Sequence, residues 1–258
     1  MESSPITPGA QALRRGLELL RLLGQHQQDG LRMSDVTYLT GLERSTAHRL
    51  LSCLVEEQFA EKDEATKRYR LGIDAMQLGS AAVRKMPLVD QFRPLMQRLA
   101  RMSGDTVFLV ARDGDEALCL HREEGPLPVK VFTIDAGGRR LLGVGAGGLA
   151  LLAKLPDEEI DEMFIRNRAA YEAAGLGRFA LWRAVRETRK KGYSVIVETI
   201  TTGVVGLGVR LPDSLRVHAA LSLGTTTTRF TPQRRIEFSS LLLDALKGIK
   251  TGRVRKPG

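Results

Sequence analysis

The sequence predicts an α+β protein with three parts. These are an N-terminal winged helix-turn-helix, a connecting helix, and a larger C-terminal part in which helices flank an antiparallel sheet. Three observations carry this expectation. Two short helical patterns between Leu31 and Glu57 are split by Gly41 and followed by a basic hairpin that ends at Gly72. A helical run of small and apolar residues then extends from Ile73 to Lys85 and stops before Pro87. Beyond it, strand patterns come in adjacent runs flanked by helices, which favours antiparallel pairing.

A first helix is expected over Gln11 to Gln25, with Leu13, Leu17 and Leu20 on one face. The next is announced by Ser34, whose hydroxyl can accept a bond from an orphan backbone N–H, with Asp35 placed to suit the helix dipole. Val36 and Leu39 give it a short apolar face. Gly41 permits the positive φ of a tight turn, and Leu42 is the apolar elbow. From Glu43 to Glu57, residues Ala47, Leu50, Leu51 and Leu54 fall on one stripe. The opposite face starts with Arg44, Ser45, Thr46, His48 and Arg49. In a helix-turn-helix these early residues of the second helix enter the major groove.

Arg44 is the residue expected to read base edges, because its fork can meet two guanine acceptors at once. Ser45, Thr46 and Arg49 are expected to position phosphate, with the part of His48 left open. The hairpin runs from Phe59 to Lys62 and from Lys67 to Gly72 around a polar turn. Lys67, Arg68 and Arg70 are set against the alternating Tyr69 and Leu71. Such a wing presents cations on one face and packs the other, so Lys67 and Arg68 join Ser34 and the helix residues as candidate DNA contacts.

Overall charge does not support that reading. Residues 1–72 carry ten basic and ten acidic side chains, so the whole formal excess of +9 lies beyond them. Only the placement of the reader's cations argues for DNA.

The chain's 258 residues suffice for two compact domains. We expect a short disordered lead at 1–10, a DNA-reading domain at 11–72, a linker helix at 73–87, a domain at 88–250 and a basic tail at 251–258. The linker helix is apolar enough to meet its twin in a dimer. No apolar run reaches the ~18–20 residues that span a bilayer, and no leader pattern opens the chain, so a cytoplasmic protein without membrane contact is expected. Cys53 and Cys119 are expected to be reduced and packed, and His26, His48, His121 and His218 are scattered, so no metal or cofactor is expected.

In the C-terminal part, Leu88, Phe92, Leu95, Leu99 and Met102 outline a helix. Strands are expected at Thr106 to Arg112, Ala117 to Arg122, Val129 to Asp135, Tyr193 to Ile200, Gly206 to Leu211 and Val217 to Leu223. Helices are expected from about Gly147, over Asp157 to Ile165, over Leu181 to Lys191, and after Thr231, which caps a helix with Pro232 at its first position. Gly143-Val144-Gly145-Ala146-Gly147-Gly148 stands out as a loop that lets a backbone approach a ligand and opens a helix with unpaired amides. It also fits G-x-G-x-x-G, but without a surrounding βαβ unit or a following acidic residue. A tight structural turn is the alternative for this segment.

The order of these parts, with Ala47-His48-Arg49-Leu50-Leu51, Tyr69-Arg70-Leu71-Gly72, Arg189-Lys190-Lys191-Gly192-Tyr193 and Ala219-Ala220-Leu221-Ser222, resembles the IclR family of bacterial transcriptional regulators over roughly residues 11 to 249. The resemblance implies a GAF-like effector domain after the linker. It also implies a homodimer or dimer of dimers on a double-stranded DNA operator, and a small organic acid as effector. It places Gly143 to Gly148 in the effector pocket. Where small-acid sensors of the family have Asp, Cys and a second Ser, this chain has Ile196, Gly206 and Gly224, while Ser222 remains. That exchange predicts a wider and less polar pocket, suited to a bulky or aromatic acid. A DNA-binding protein without an effector is a second reading. An enzyme built on Ser222, His218, Glu198 and Asp213 is a third, and it lacks an oxyanion motif.

Overall fold

The computed structural model describes residues 7, 9–83, 86–215 and 217–250. Most of the expected lead at 1–10, all of the expected tail at 251–258, and Arg84 and Lys85 lie outside the described residues. The chain divides into two compact units, Met1–Met86 and Pro87–Gly258.

The first unit holds helices α1 (Gln11–Gln25), α2 (Met33–Thr40) and α3 (Arg44–Glu56), the hairpin β1 (Ala60–Lys62) and β2 (Tyr69–Leu71), and α4 (Ile73–Val83). Its core is built from Leu19, Leu23, Leu31, Val36, Ala47 and Leu51, with Tyr69 closing it from the hairpin. The stripe expected on α3 is therefore present, and Leu42 packs at the elbow as expected.

Three local expectations change. On α1 the buried leucines are Leu19 and Leu23, whereas Leu13 and Leu17 are exposed and Leu20 half-buried. This helix carries leucines on more than one face, and periodicity alone cannot choose between them. On α2 Leu39 is 49% exposed, so Val36 alone is buried. Ser34 does not cap α2. The cap is Arg32, whose N–H donates to the Asp35 carboxylate at 2.9 Å, while the Ser34 hydroxyl turns to the same carboxylate at 3.3 Å. A charged acceptor three residues on outcompetes the hydroxyl.

The second unit contains α5 (Pro87–Ser103), β3 (Thr106–Asp113), β4 (Glu116–Glu123), β5 (Arg139–Leu141), α6 (Ala146–Leu152), α7 (Asp157–Arg166), α8 (Arg168–Ala173), α9 (Arg178–Lys191), β6 (Ser194–Val197), β7 (Val204–Arg210), β8 (Ala219–Thr226) and α10 (Pro232–Lys250). The strands form one fully antiparallel sheet in the order β5-β4-β3-β8-β7-β6. This is the antiparallel sheet with flanking helices that the sequence predicts.

On α5 the buried face is Val89, Phe92, Met96, Leu99 and Ala100; Leu88 and Leu95 flank it and Met102 is exposed. The expected strand at 129–135 is irregular, and the edge strand is β5 instead. There, Cys119 N–H donates to Gly138 O at 2.9 Å and Gly137 N–H to Cys119 O at 2.8 Å, which uses up the bonds that a longer third strand would need. Val131 turns inward and is buried. At the far end, Arg234 N–H bonds the Thr231 hydroxyl at 3.2 Å, so the expected cap of α10 is present.

α6 is buried along its whole length. It packs against β7 and β8, with α9 over it. Ser194 fixes its start by donating to Ala146 O at 2.6 Å. Tyr171, stacked on Phe164, donates to Leu142 O at 2.7 Å and holds the turn that leads into α6. Burial pushes the Tyr171 phenol up to about 12.

Candidate functional site

In the first unit, α2 and α3 meet through Gly41, whose left-handed φ of 66° makes the turn. Arg44, Ser45, His48 and Arg49 are exposed along the start of α3 and Thr46 is half-buried. Arg44 and Arg49 make no ion pair or hydrogen bond among the described residues. His48 reaches only Ser52, at 3.5 Å. The first turns of α3 thus present cations with nothing local to satisfy them.

The hairpin cations behave differently. Arg68 donates to Gly30 O at 2.7 Å and Asp29 O at 3.3 Å, and Arg70 to Asp29 O at 3.2 Å. Together with the paired backbones of Leu31 and Tyr69, they fasten the hairpin to the segment between α1 and α2. Lys67 pairs with Glu64 at 2.7 Å. Arg68, expected among the DNA contacts, is therefore engaged with the protein's own carbonyls.

The turn is tightened by Asp63, which accepts from the N–H groups of Thr66 at 2.8 Å and Ala65 at 2.9 Å. These donors, Thr66 first, hold its carboxyl below the usual range. Gly72 ends the hairpin for a steric reason: a Cβ there would lie 2.2 Å from Gln58 O.

In the second unit, most of the pocket residues singled out in the sequence come together. Gly145, Ala146, Gly147, Gly148, Ile196, Gly206, Ser222 and Gly224 all line one cavity of about 60 Å³ beneath the start of α6. Gly143 and Val144 do not line it. Gly143 takes a φ of 95° against Leu181 and Leu152, and Val144 packs into the core, so these two form a structural turn.

The cavity is apolar as expected. The room left by missing side chains is filled by neighbours: a Cβ on Gly206 would lie 2.9 Å from the Ala146 Cβ, and one on Gly224 3.1 Å from Val131 and 3.2 Å from Phe108. What remains is room for about four to six water-sized groups.

Ser222 and Arg140, like Thr133 and Thr201, line the cavity without a side-chain hydrogen bond among the described residues. The Ser222 hydroxyl makes no hydrogen bond among the described residues, although Ser222 is buried. Arg140, from β5, is the only charged residue in the lining and has no ion-pair or hydrogen-bond partner among the described residues. Burial pulls its guanidinium below the ordinary value. No sequence motif marks Arg140. The available signal was its place next to Arg139 on one short strand, because successive strand residues face opposite ways.

Ser222, His218, Glu198 and Asp213 do not converge. Ser222 faces the cavity, His218 and Asp213 both meet Arg210, and the Glu198 carboxylate accepts from Gly203 N–H at 2.8 Å. Cys119 is buried, its thiol pushed up to about 11 by desolvation, while Cys53 is exposed rather than packed as expected; both are free. Among the described residues, no group of three or more His, Cys, Asp or Glu could hold a metal ion, and no helix is long and apolar enough to cross a membrane.

Comparison with known proteins agrees with both halves. The family model for the IclR helix-turn-helix domain matches residues 12–64, and that for the bacterial transcriptional regulator IclR C-terminal region matches residues 80–251. The chain is 30% identical to the HTH-type transcriptional repressor AllR of Klebsiella pneumoniae, covering 96% of this chain and 92% of that one. It is 26% identical to the transcriptional repressor IclR of Escherichia coli K12, over 96% and 91% of the two chains. Among solved structures, an IclR family regulator from Brucella abortus superposes with a TM-score of 0.78 at 23% identity, covering 93% of this chain and 92% of that chain. An IclR homolog from Microbacterium hydrocarbonoxydans, complexed with 4-hydroxybenzoate, gives 0.70 at 23% identity, over 93% and 98%.

Proposed function

The chain belongs to the IclR family of bacterial transcriptional regulators, and from that premise we propose that it represses a catabolic operon under the control of a small organic acid. Residues 11–72 read the operator, 73–87 link, and 88–250 sense. Arg44 contacts base edges; Ser45, Thr46 and Arg49 set the helix on phosphate, with His48 beside them. Lys67 reaches the backbone from the wing. Two readers on a homodimer, or four on a dimer of dimers, take half-sites of a near-palindrome.

The observation that carries the sensing half is the cavity under α6, where Gly145 to Gly148, Ile196, Gly206, Ser222 and Gly224 enclose one space. First-turn amides of a helix have no intrahelical acceptor, so Ala146 to Gly148 offer donors to a carboxylate. Repression is the direction carried by the names of the AllR and IclR relatives. The neighbour bound to 4-hydroxybenzoate keeps aromatic acids in the class. A volume near 60 Å³ suits its compact members.

The test is calorimetry of the full chain against two- and three-carbon hydroxy and keto acids and against benzoates, followed by operator titration with each acid that binds. An acid that binds and weakens operator affinity supports the proposal. Acids that bind without changing it would leave a DNA-binding protein with no effector control, because regulation requires a differential affinity between the two states.

A further inference from the structure

We propose that Arg140 is the charge-recognising residue of the cavity and that the effector is accordingly a monocarboxylate, held as a guanidinium–carboxylate pair. This rests on the effector reading above and narrows it.

Arg140 and Arg139 follow one another on β5 and so face opposite sides of the sheet. Arg139 turns outward and is spent on two acids, Asp113 at 2.5 Å and Glu116 at 3.4 Å. Arg140 turns inward. Its strand partner is Ala117, and the Ala117 Cβ lies 3.5 Å from the point where a side chain on Gly148 would begin. Arg140 thus lines the cavity together with the first turn of α6, in a lining otherwise made of apolar side chains, glycines and a few hydroxyls.

A half-buried cation with no counter-charge is unfavourable, and the same site becomes favourable once an anion enters with matching geometry. Arginine suits this because its planar fork meets both carboxylate oxygens. The unbonded Ser222 hydroxyl offers a second polar contact to a group next to the carboxylate. The cavity holds no second cation, so a second carboxylate would be buried without a partner. A neutral amide of the same shape would leave Arg140 unpaired. The site therefore discriminates on charge in both directions: monoacid over amide, and monoacid over diacid.

The experiment is calorimetry on the full chain with matched probes: lactate, lactamide and malate, and benzoate, benzamide and terephthalate. The expected result is that at least one monoacid binds the wild type tenfold or more tightly than its amide and its diacid, and that Arg140→Gln removes this preference while weakening that acid about tenfold. Arg140→Lys keeps charge without the fork and should fall between; it also serves as the reading if the glutamine variant does not fold. A monoacid that binds wild type, glutamine and lysine variants within threefold of one another overturns the role of Arg140 and leaves the organic-acid reading standing. Amides that bind the wild type as tightly as the acids, or no probe binding at all, overturn both.

Discussion

The two units use unsatisfied arginines in opposite ways. In the first, Arg44 and Arg49 stand exposed on α3 without partners among the described residues, while Arg68 and Arg70 of the hairpin are held by the protein's own carbonyls. In the second, many arginines are paired, including Arg112 with Glu159, Arg166 with Asp115 and Arg178 with Asp161, whereas Arg140 lines the cavity unpaired among the described residues. Net charge points the wrong way, since the DNA-reading segment is neutral and the excess sits elsewhere. In the proposed reading, Arg44, Arg49 and Arg140 combine the lack of an internal partner with a place on the recognition helix or in the cavity. On that reading the exposed pair meets a polyanion, and the cavity arginine a single small anion.

The comparison is tested most severely by Arg44→Ala with Arg49→Ala. Each contact is worth about 1–3 kcal/mol, so operator affinity at fixed salt should fall about 100-fold or more in the double variant, with a shallower salt slope. Fluorescence anisotropy reads this, and effector binding should be unchanged. If operator binding survives, the partnerless arginines of α3 are only a solvated face.

Arg68→Ala probes the opposite kind of cation. Leaving Gly30 O without its donor should cost about 1–3 kcal/mol locally, seen as faster hydrogen exchange at Leu31 and Tyr69. A pure phosphate contact would leave that exchange alone and lower only affinity.

Tyr171→Phe tests the turn that feeds the cavity. Loss of the buried bond to Leu142 O should cost about 1–2 kcal/mol in thermal or urea unfolding. The wild type carries a pH signature as well. Because the folded phenol sits near 12 against an ordinary 10, the stability it contributes is full below pH 10 and is lost as pH rises from 10 to 12. The phenylalanine variant should lack that alkaline decline.

The smallest effect expected is a labelling one. At pH 8 a thiol reagent should modify the exposed Cys53 and spare Cys119, whose thiol stays protonated until about 11. Rapid labelling of both thiols would mean that the second unit opens readily around β4.

Much of this was legible beforehand, for identifiable reasons. Apolar stripes with one clear face, as on α3, and caps with one good acceptor, as at Thr231, leave a single solution. α1 did not, because its leucines fit two faces. The 129–135 segment reads as a strand from composition, yet its hydrogen bonds are pre-empted at Gly137 and Gly138. Most of the residues that line the cavity under α6 were singled out through the glycine run and the family pattern. Removing a side chain makes space only where neighbours do not stand close, and around Gly206 and Gly224 Ala146, Phe108 and Val131 do. Arg140 was missed because partnerlessness is a property of three dimensions.

The sheet order carries a further consequence, for synthesis. β3 lies between β4 and β8, so Thr106 must wait for Gly224 before its second edge is covered. The contacts of the first unit all close within α1 to α4. On the ribosome, the DNA-reading half can finish folding while β3 still presents an open edge, and pairings this distant in sequence are slow to form. Newly made chains are thus expected to pass through an interval in which the first unit is complete and the second is not.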